Sequence, residues 1–278
     1  APPTATGTPT PFLSPTATPV PTPTVLGPLL ALVRATQGEA TNIIVLHLAS
    51  AREDVLTHFV EPMNMSDQSW SKDGQWLLFV SAHDFIHSRN NERNVYLMRA
   101  DGSQQRMITG DYVDPAQAPG PYMTVHGRIV GGEGDCLVCA QGAANPVYAA
   151  ADGSFELRGV PQTAQWLRAL CLAGGITLQG DIELTPHAAN TSVSITVNPQ
   201  GQGWSQASLS RDGRIIVGTY YSWTLDPEGK RKHQTEGLLV DREGGLLGKL
   251  ELPPGTNLAG VDWSPSEDKI VGALTSEK

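Results

Sequence analysis

An all-β protein built from a repeated short-strand unit is what this sequence predicts, and three observations predict it. A turn motif recurs, the apolar runs are short and β-prone, and turn-forming residues are abundant. The motif first appears as Trp70-Ser71-Lys72-Asp73-Gly74, followed by the apolar run Trp76-Leu77-Leu78-Phe79-Val80. It returns as Leu209-Ser210-Arg211-Asp212-Gly213, followed by Ile215-Ile216-Val217, and again as Trp263-Ser264-Pro265-Ser266-Glu267-Asp268, followed by Ile270-Val271. A repeat unit cannot bury its hydrophobic face alone, so recurrence implies stacked units that share cores. Gly (29) and Pro (21) are plentiful while charged residues make up only 17%, a balance that favours strands joined by tight turns.

Taken in order, residues 1–28 form an Ala/Pro/Thr tail with stretches such as Thr8-Pro9-Thr10-Pro11. Repeated prolines remove backbone donors and hold their neighbours extended, which predicts a semi-rigid polyproline II spacer. The Thr-Pro bias also matches glycosylated stalks outside the cell. A packed tail would find its partner in another copy, adding as a strand to a neighbouring sheet edge. From Leu29 onward the pattern is short strands. Asn42 to Leu48, Trp76 to Val80 and Asn94 to Arg99 are β-prone runs. The last leads through Ala100-Asp101-Gly102-Ser103 into Gln104 to Thr109. Asp-Gly between two such runs signals a hairpin, because both residues tolerate positive φ. The best helical stretch is a turn or two near Ser50 to Thr57.

The block from Trp70 to Thr109 resembles the TolB-type, WD40-like propeller repeat. The residues that carry the resemblance are the Trp70 to Gly74 turn, the Leu77 to Val80 strand, the Asn94-x-Tyr96-x-Met98 strand and the Ala100-to-Thr109 hairpin. The second copy replaces Trp by Leu209, and the third loses the Asp-Gly pair. From the second copy to the third is little more than the ~40–45 residues of one blade, whereas from the first to the second is about three blades' worth. The excess begins Val125-His126-Gly127-Arg128-Ile129-Val130, continues through Asp152-Gly153-Ser154-Phe155-Glu156-Leu157 to Val160-Pro161, and ends in the alternating run Thr191 to Val197. That order resembles the carboxypeptidase regulatory-like domain, a prealbumin-like β-sandwich, which implies an accessory module with no catalytic residues to carry over.

The expected fold is therefore all-β: small or incomplete β-propeller-type blades interrupted by an inserted β-sandwich and preceded by the extended tail. The boundaries are 1–28 for the tail, 29–121 for the first blades, 122–198 for the sandwich and 199–278 for the second blades. Pro115 to Pro121 and Pro199 to Gly203 read as the linkers on either side of the sandwich. The residues outside the sandwich suffice for about four blades at most. An array that does not close exposes sheet edges, which invite pairing between copies, and a non-closing head-to-tail contact gives a filament.

Composition bounds the function. A formal charge of -9 argues against nucleic-acid binding, which needs clustered Lys and Arg. The one basic cluster, Lys230-Arg231-Lys232-His233, follows Asp226-Pro227-Glu228-Gly229 and reads as a solvated hairpin tip. No run approaches the ~20 apolar residues of a membrane span. No secretory leader precedes the tail, so the chain reads as a mature, extracellular or cell-surface product whose targeting segment has been removed.

The three cysteines are Cys136, Cys139 and Cys171. Cys136-Leu137-Val138-Cys139 has CxxC spacing, but no second pair completes four zinc ligands and no His follows for haem. A disulfide of Cys171 with Cys136 or with Cys139 is the expectation. His83-Asp84-Phe85-Ile86-His87 lacks the Glu of a zinc protease signature and reads as a polar, solvated loop. Ser71 to Gly74 is one residue short of a sialidase Asp box. Trp70 and Trp263 occupy matched repeat positions and read as packing between blades. Trp223 with Tyr220 and Tyr221 is the candidate exposed aromatic platform for a ligand.

No catalytic, cofactor or metal residue is assigned. The leading expectation is a non-enzymatic, extracellular structural or interaction protein that self-assembles, filament-fashion, through its tail and exposed sheet edges. The alternative is a cell-surface glycan- or peptide-binding propeller module with the sandwich as accessory.

Overall fold

The structure, a computed structural model, describes residues 29–34, 40–59, 65–90, 92–132, 134–185, 190–264, 266 and 269–276. The Pro/Thr-rich tail, and the strand addition expected of it, lie outside the described residues. What is described is all-β, with a single turn of 3-10 helix at Phe85–His87.

Four antiparallel meanders follow one another along the chain. The first contains β1 (Leu29–Arg34), β2 (Asn42–His47) and β3 (Arg52–Val55), and the second β4 (Met65–Trp70), β5 (Trp76–Ser81), β6 (Asn94–Arg99) and β7 (Arg106–Met107). Seven strands intervene: β8 (Tyr122–Val130), β9 (Asp135–Ala140), β10 (Val147–Tyr148), β11 (Ser154–Pro161), β12 (Trp166–Ala173), β13 (Ile176–Glu183) and β14 (Asn190–Thr196). The third meander is β15 (Asn198–Leu209), β16 (Ile215–Leu225), β17 (Arg231–Asp241) and β18 (Leu246–Lys249), and the fourth is β19 (Thr256–Trp263) with β20 (Ile270–Ser276).

The side-chain alternation of β5 explains how the meanders stack. Successive residues of a strand point to opposite faces, and every residue of β5 is buried. Leu77 and Phe79 join Ile43, Tyr96 and Met98 in a core shared with the first sheet. Trp76, Leu78 and Val80 join Trp204, Leu209, Ile216 and Val240 in a core shared with the third. The third sheet in turn meets the fourth across Val217, Leu258 and Val261. The four sheets thus form a face-to-face series with a core at each junction. Burying a leucine at such a junction stabilises by about 1.5–3 kcal/mol.

The repeated turn is built by the same hydrogen bonds in both complete copies. Ser71 Oγ donates to Asp73 Oδ1 at 2.6 Å and accepts from Trp76 N at 2.9 Å. Ser210 Oγ donates to Asp212 Oδ1 at 2.8 Å and accepts from Ile215 N at 2.9 Å. Gly74 and Gly213 sit at φ 66 and 71, a left-handed conformation that a side chain disfavours. The third copy keeps the serine, with Lys269 N donating to Ser264 Oγ at 3.3 Å.

A second repeat lies in the hairpins themselves. Thr57 Oγ1 donates to Asn42 Oδ1 and accepts from Ile43 N, while Thr109 Oγ1 donates to Asn94 Oδ1 and accepts from Val95 N. Asn42 to Thr57 and Asn94 to Thr109 therefore form equivalent hairpins. This corrects the helical turn expected near Ser50 to Thr57: Arg52–Val55 is β3, paired with β2.

Between the second and third meanders, two sheets share a core of their own. In one, β11 pairs antiparallel and β14 parallel with β8; the other runs β10-β9-β12-β13. Val125, Leu157 and Ile195 from the first sheet and Val138, Leu167 and Ala169 from the second lie in that core. Cys136 and Cys171, directly opposite one another on β9 and β12, are disulfide-bonded.

This body is not carried on a free linker. Pro199 to Gly203, expected as a linker, lies within β15, and Asn198 and Pro199 pair with Gln179 and Leu178 of β13. One sheet is thereby continuous from β10 to β18. A proline near the start of a strand is tolerated because little of the ladder needs its missing N–H. Arg168 of β12 adds a second tie. Its buried guanidinium bonds Asp181 at 2.7 Å and donates to the backbone carbonyls of Ser88 and Arg89 in the second meander.

Candidate functional site

The repeated turns lie side by side. Lys72 N donates to Arg211 O at 3.2 Å, and Lys72, Asp73, Arg211 and Asp212 line a shallow cleft. Hydrogen bonding from Ser71 and from Ser210 holds the Asp73 and Asp212 carboxyls below the ordinary carboxylate range. Both carboxylates are committed to closing their own turns.

Next to the turns, β4, β15 and β19 line an open groove of about 450 Å³ that includes Asp67, Gln68, Gln206, Ser208 and Asp262. Ser208 Oγ donates to Asp262 Oδ1 at 2.5 Å, and Trp263 Nε1 donates to the Ser208 carbonyl at 3.2 Å. Trp263 packs at the junction of the third and fourth sheets, and Trp70 against the core of the first and second. The groove is polar, and among the described residues no group of three or more His, Cys, Asp or Glu is arranged to hold a metal ion.

The three residues expected as an exposed aromatic platform are buried at Trp223 and half-buried at Tyr220 and Tyr221. Trp223 is only 3% exposed. Its Nε1 donates to Glu92 Oε1 at 2.8 Å, and the Tyr221 hydroxyl donates to Glu92 Oε2. Arg231 lies over the Trp223 ring at 4.3 Å. One carboxylate thus ties both rings to the second meander. Burial, reinforced by Glu92, raises the Tyr221 phenol well above its ordinary pKa. Tyr220 packs edge-on against Trp204, with ring centroids 5.9 Å apart, and burial pushes its phenol up to about 12. The sequence could not reveal the Glu92 tie, because it joins residues about 130 positions apart.

The His83 to His87 loop is also more enclosed than a solvated loop. The His83 ring lies 4.0 Å from Tyr96 and 4.1 Å from Phe59, and burial depresses its pKa to about 4. His87 Nδ1 meets Asp84 Oδ1 at 2.5 Å, and that hydrogen bond raises the His87 pKa. These imidazoles serve packing and a local ion pair. Cys139, the thiol outside the disulfide, is buried, and burial pushes it up to about 12. A thiol so protonated is a poor nucleophile. The basic cluster does stand near a solvated tip: Gly229 N donates to Asp226 O, and Lys230 to His233 are exposed.

Both outermost sheets present exposed aliphatic side chains. On β20, Val271 is 63% and Leu274 46% exposed, and on β1 Leu30 and Leu32 are exposed. Among the described residues β20 pairs only with β19.

No protein family matches the chain, and no curated protein matches it. Among solved structures it is similar to TolB from Acinetobacter baumannii, with 15% identity, a TM-score of 0.26, and coverage of 91% of this chain and 53% of that one. It is similar to a prolyl endopeptidase at 10% identity and a TM-score of 0.23, covering 89% of this chain and 46% of the other. A puromycin hydrolase gives 14% identity and a TM-score of 0.30, with 90% and 34% covered. The chain thus spans about half, or less, of the length of these structures. The fold assignment rests on the chain's own sheets and cores. A disulfide is characteristic of proteins outside the reducing cytosol, and among the described residues no helix is long and apolar enough to cross a membrane.

Proposed function

We propose that this chain is a non-enzymatic, extracellular or cell-surface interaction protein that associates with copies of itself through its outer sheets. The observation that carries this reading is β20. It presents exposed Val271 and Leu274 beside an edge that, among the described residues, pairs with no second strand. Such an edge is a template for strand pairing with another chain, and its exposed aliphatic side chains add apolar area to any such contact. In this reading residues 29–121 and 199–278 are propeller-type blades, and the body at 122–198 is an accessory module similar to carboxypeptidase regulatory-like domains. The Pro/Thr-rich tail is a stalk or a strand donated to a neighbour. Repetition of a non-closing contact would extend the assembly into a filament.

Sedimentation velocity of the purified chain over a wide concentration range tests the reading. Self-association is expected to rise with concentration and to weaken by about tenfold or more for Val271→Lys with Leu274→Lys, because a charge on each partner face opposes pairing. A chain that stays monomeric at the highest attainable concentration would refute it. So would an oligomer indifferent to the double substitution.

A further inference from the structure

A polar pocket lined by β15, β16 and β17 and by the start of β19 carries a separate inference. The long strands β15, β16 and β17 run side by side with Gln202 opposite Ser222, Ser222 opposite Gln234, and Tyr220 opposite Glu236. Directly opposed residues share a face of a sheet, and so do residues two apart along a strand. These five side chains therefore form two adjacent rows on one face. Asn257 of β19 closes one side. It is fixed there by accepting from Thr235 N at 3.1 Å, while Leu258 N donates to Thr235 Oγ1 at 2.6 Å. The pocket is open to solvent on one side and measures about 450 Å³, within the ~300–1,000 Å³ of small-molecule sites.

The chemistry of the lining narrows what fits. Glu236 is the sole charged lining residue, and Lys249 already neutralises it through contacts of 2.9 and 3.0 Å. No cation lines the pocket to hold a phosphate or carboxylate, and no aliphatic side chain lines it to hold a lipid tail. What remains is amides, hydroxyls and one tyrosine. The Ser222 hydroxyl and Gln234 amide have no hydrogen-bonding partner among the described residues. Side-chain amides present a donor and an acceptor side by side, and hydroxyls act as either. Paired in this way, they complement the adjacent hydroxyls of a sugar, each of which also both donates and accepts. Tyr220 adds a partly apolar ring with a polar tip, suited to a ligand with apolar C–H faces and a polar rim.

We propose that this pocket binds a neutral carbohydrate, with Gln234, Ser222 and Asn257 bonding sugar hydroxyls and Tyr220 bordering the sugar face. The site lies on the long β16–β17 hairpin and is independent of the self-association proposed above.

The test is binding of the purified chain to an array of neutral glucan, mannan and galactan oligosaccharides, with sialylated and sulfated glycans and extended peptides alongside. Hits are then measured by calorimetry. Binding to at least one neutral glycan is expected. Gln234→Ala should weaken it by about tenfold, the loss of an interaction worth ~1.4 kcal/mol. Ser222→Phe should abolish it by filling the pocket, with the thermal midpoint retained in both variants. Val271→Lys with Leu274→Lys should leave affinity unchanged, which separates this site from self-association. Absence of binding to every neutral glycan, binding confined to acidic glycans or peptides, or affinity indifferent to both pocket substitutions would each overturn the proposal.

Discussion

The second sheet and the fourth each turn on a related Ser motif between two of their strands, yet the strands that follow meet opposite surroundings. After Ser71 the chain enters β5, buried on both faces between the first and third sheets. After Ser264 it enters β20, where six of seven residues are exposed. The turn therefore aims a strand without deciding how much stability that strand earns. Neighbours on both faces decide it: β5 contributes to two cores, whereas the fourth sheet meets the third across the small cluster around Val217, Leu258 and Val261.

The largest expected effect sharpens this contrast directly. Leu78 is completely buried, and Leu274 is nearly half exposed. Leu78→Ala should cost about 2–5 kcal/mol in urea unfolding, from lost transfer energy plus a cavity. Leu274→Ala should stay within about 0.5 kcal/mol under conditions that keep the chain monomeric. Equal losses at the two sites would break the comparison, because they would mean that Leu274 is buried within the monomer itself.

A pH titration separates the same regions by a smaller amount. His83 packs on Tyr96 of the second sheet, and its folded pKa of about 4 lies below the ordinary 6.5. Between those values the unfolded chain binds the proton more readily, so stability falls as pH drops from 6.5 towards 4 and is level above 6.5. The loss should be about 1–3 kcal/mol, allowing for partial exposure. His87 opposes it. Its pKa is raised, so its contribution is present below pH 6.5 and is lost as pH rises through the raised value. His83→Phe, which keeps an aromatic ring in the stack, should remove the acid-side loss and leave the shallower His87 trend. An unchanged pH profile in His83→Phe would show that His83 is not the group responsible.

What could be read in advance follows from the range of the interactions. The serine turns and the Asp101-Gly102 hairpin are local, with every hydrogen bond spanning five residues or fewer, so the residues that make them stand together in the sequence. The clasp between Asn42 and Thr57 was also legible, since its spacing of 15 residues recurs at Asn94 and Thr109. It was missed because Leu48-Ala49-Ser50-Ala51 replaces the Ala-Asp-Gly-Ser turn that marks the second copy. The fate of Trp223 and Tyr221 was not legible. A long aromatic strand reads equally well as an exposed platform or as a buried one, and the deciding residue, Glu92, sits on a loop of another sheet. The same holds for Arg168, whose carbonyl partners at Ser88 and Arg89 carry no side-chain signal at all. For the glycan pocket, the cross-strand rows depend on the β15–β16–β17 register, which a bulge near Ser205 resets.

The smallest effect to measure is the turn serine itself, and it tests whether identical local chemistry gives identical stability. Ser71 and Ser264 occupy the same repeat position, and each accepts a hydrogen bond from the residue five positions later. At Ser71 the serine is buried, and its hydroxyl also donates to the Asp73 carboxylate at 2.6 Å. Ser71→Ala leaves a buried Trp76 N–H without its side-chain acceptor and removes one of the two donors to the Asp73 carboxylate, Gln75 N remaining, so a loss of about 1–2 kcal/mol is expected. At Ser264 water can replace the missing hydroxyl, because the turn is solvent-exposed and its bond to Lys269 N is long at 3.3 Å. Ser264→Ala should therefore cost no more than about 0.5 kcal/mol. Chemical denaturation of the two variants decides it. Matching losses would locate the stability of these turns in their own hydrogen bonds rather than in the sheets packed around them.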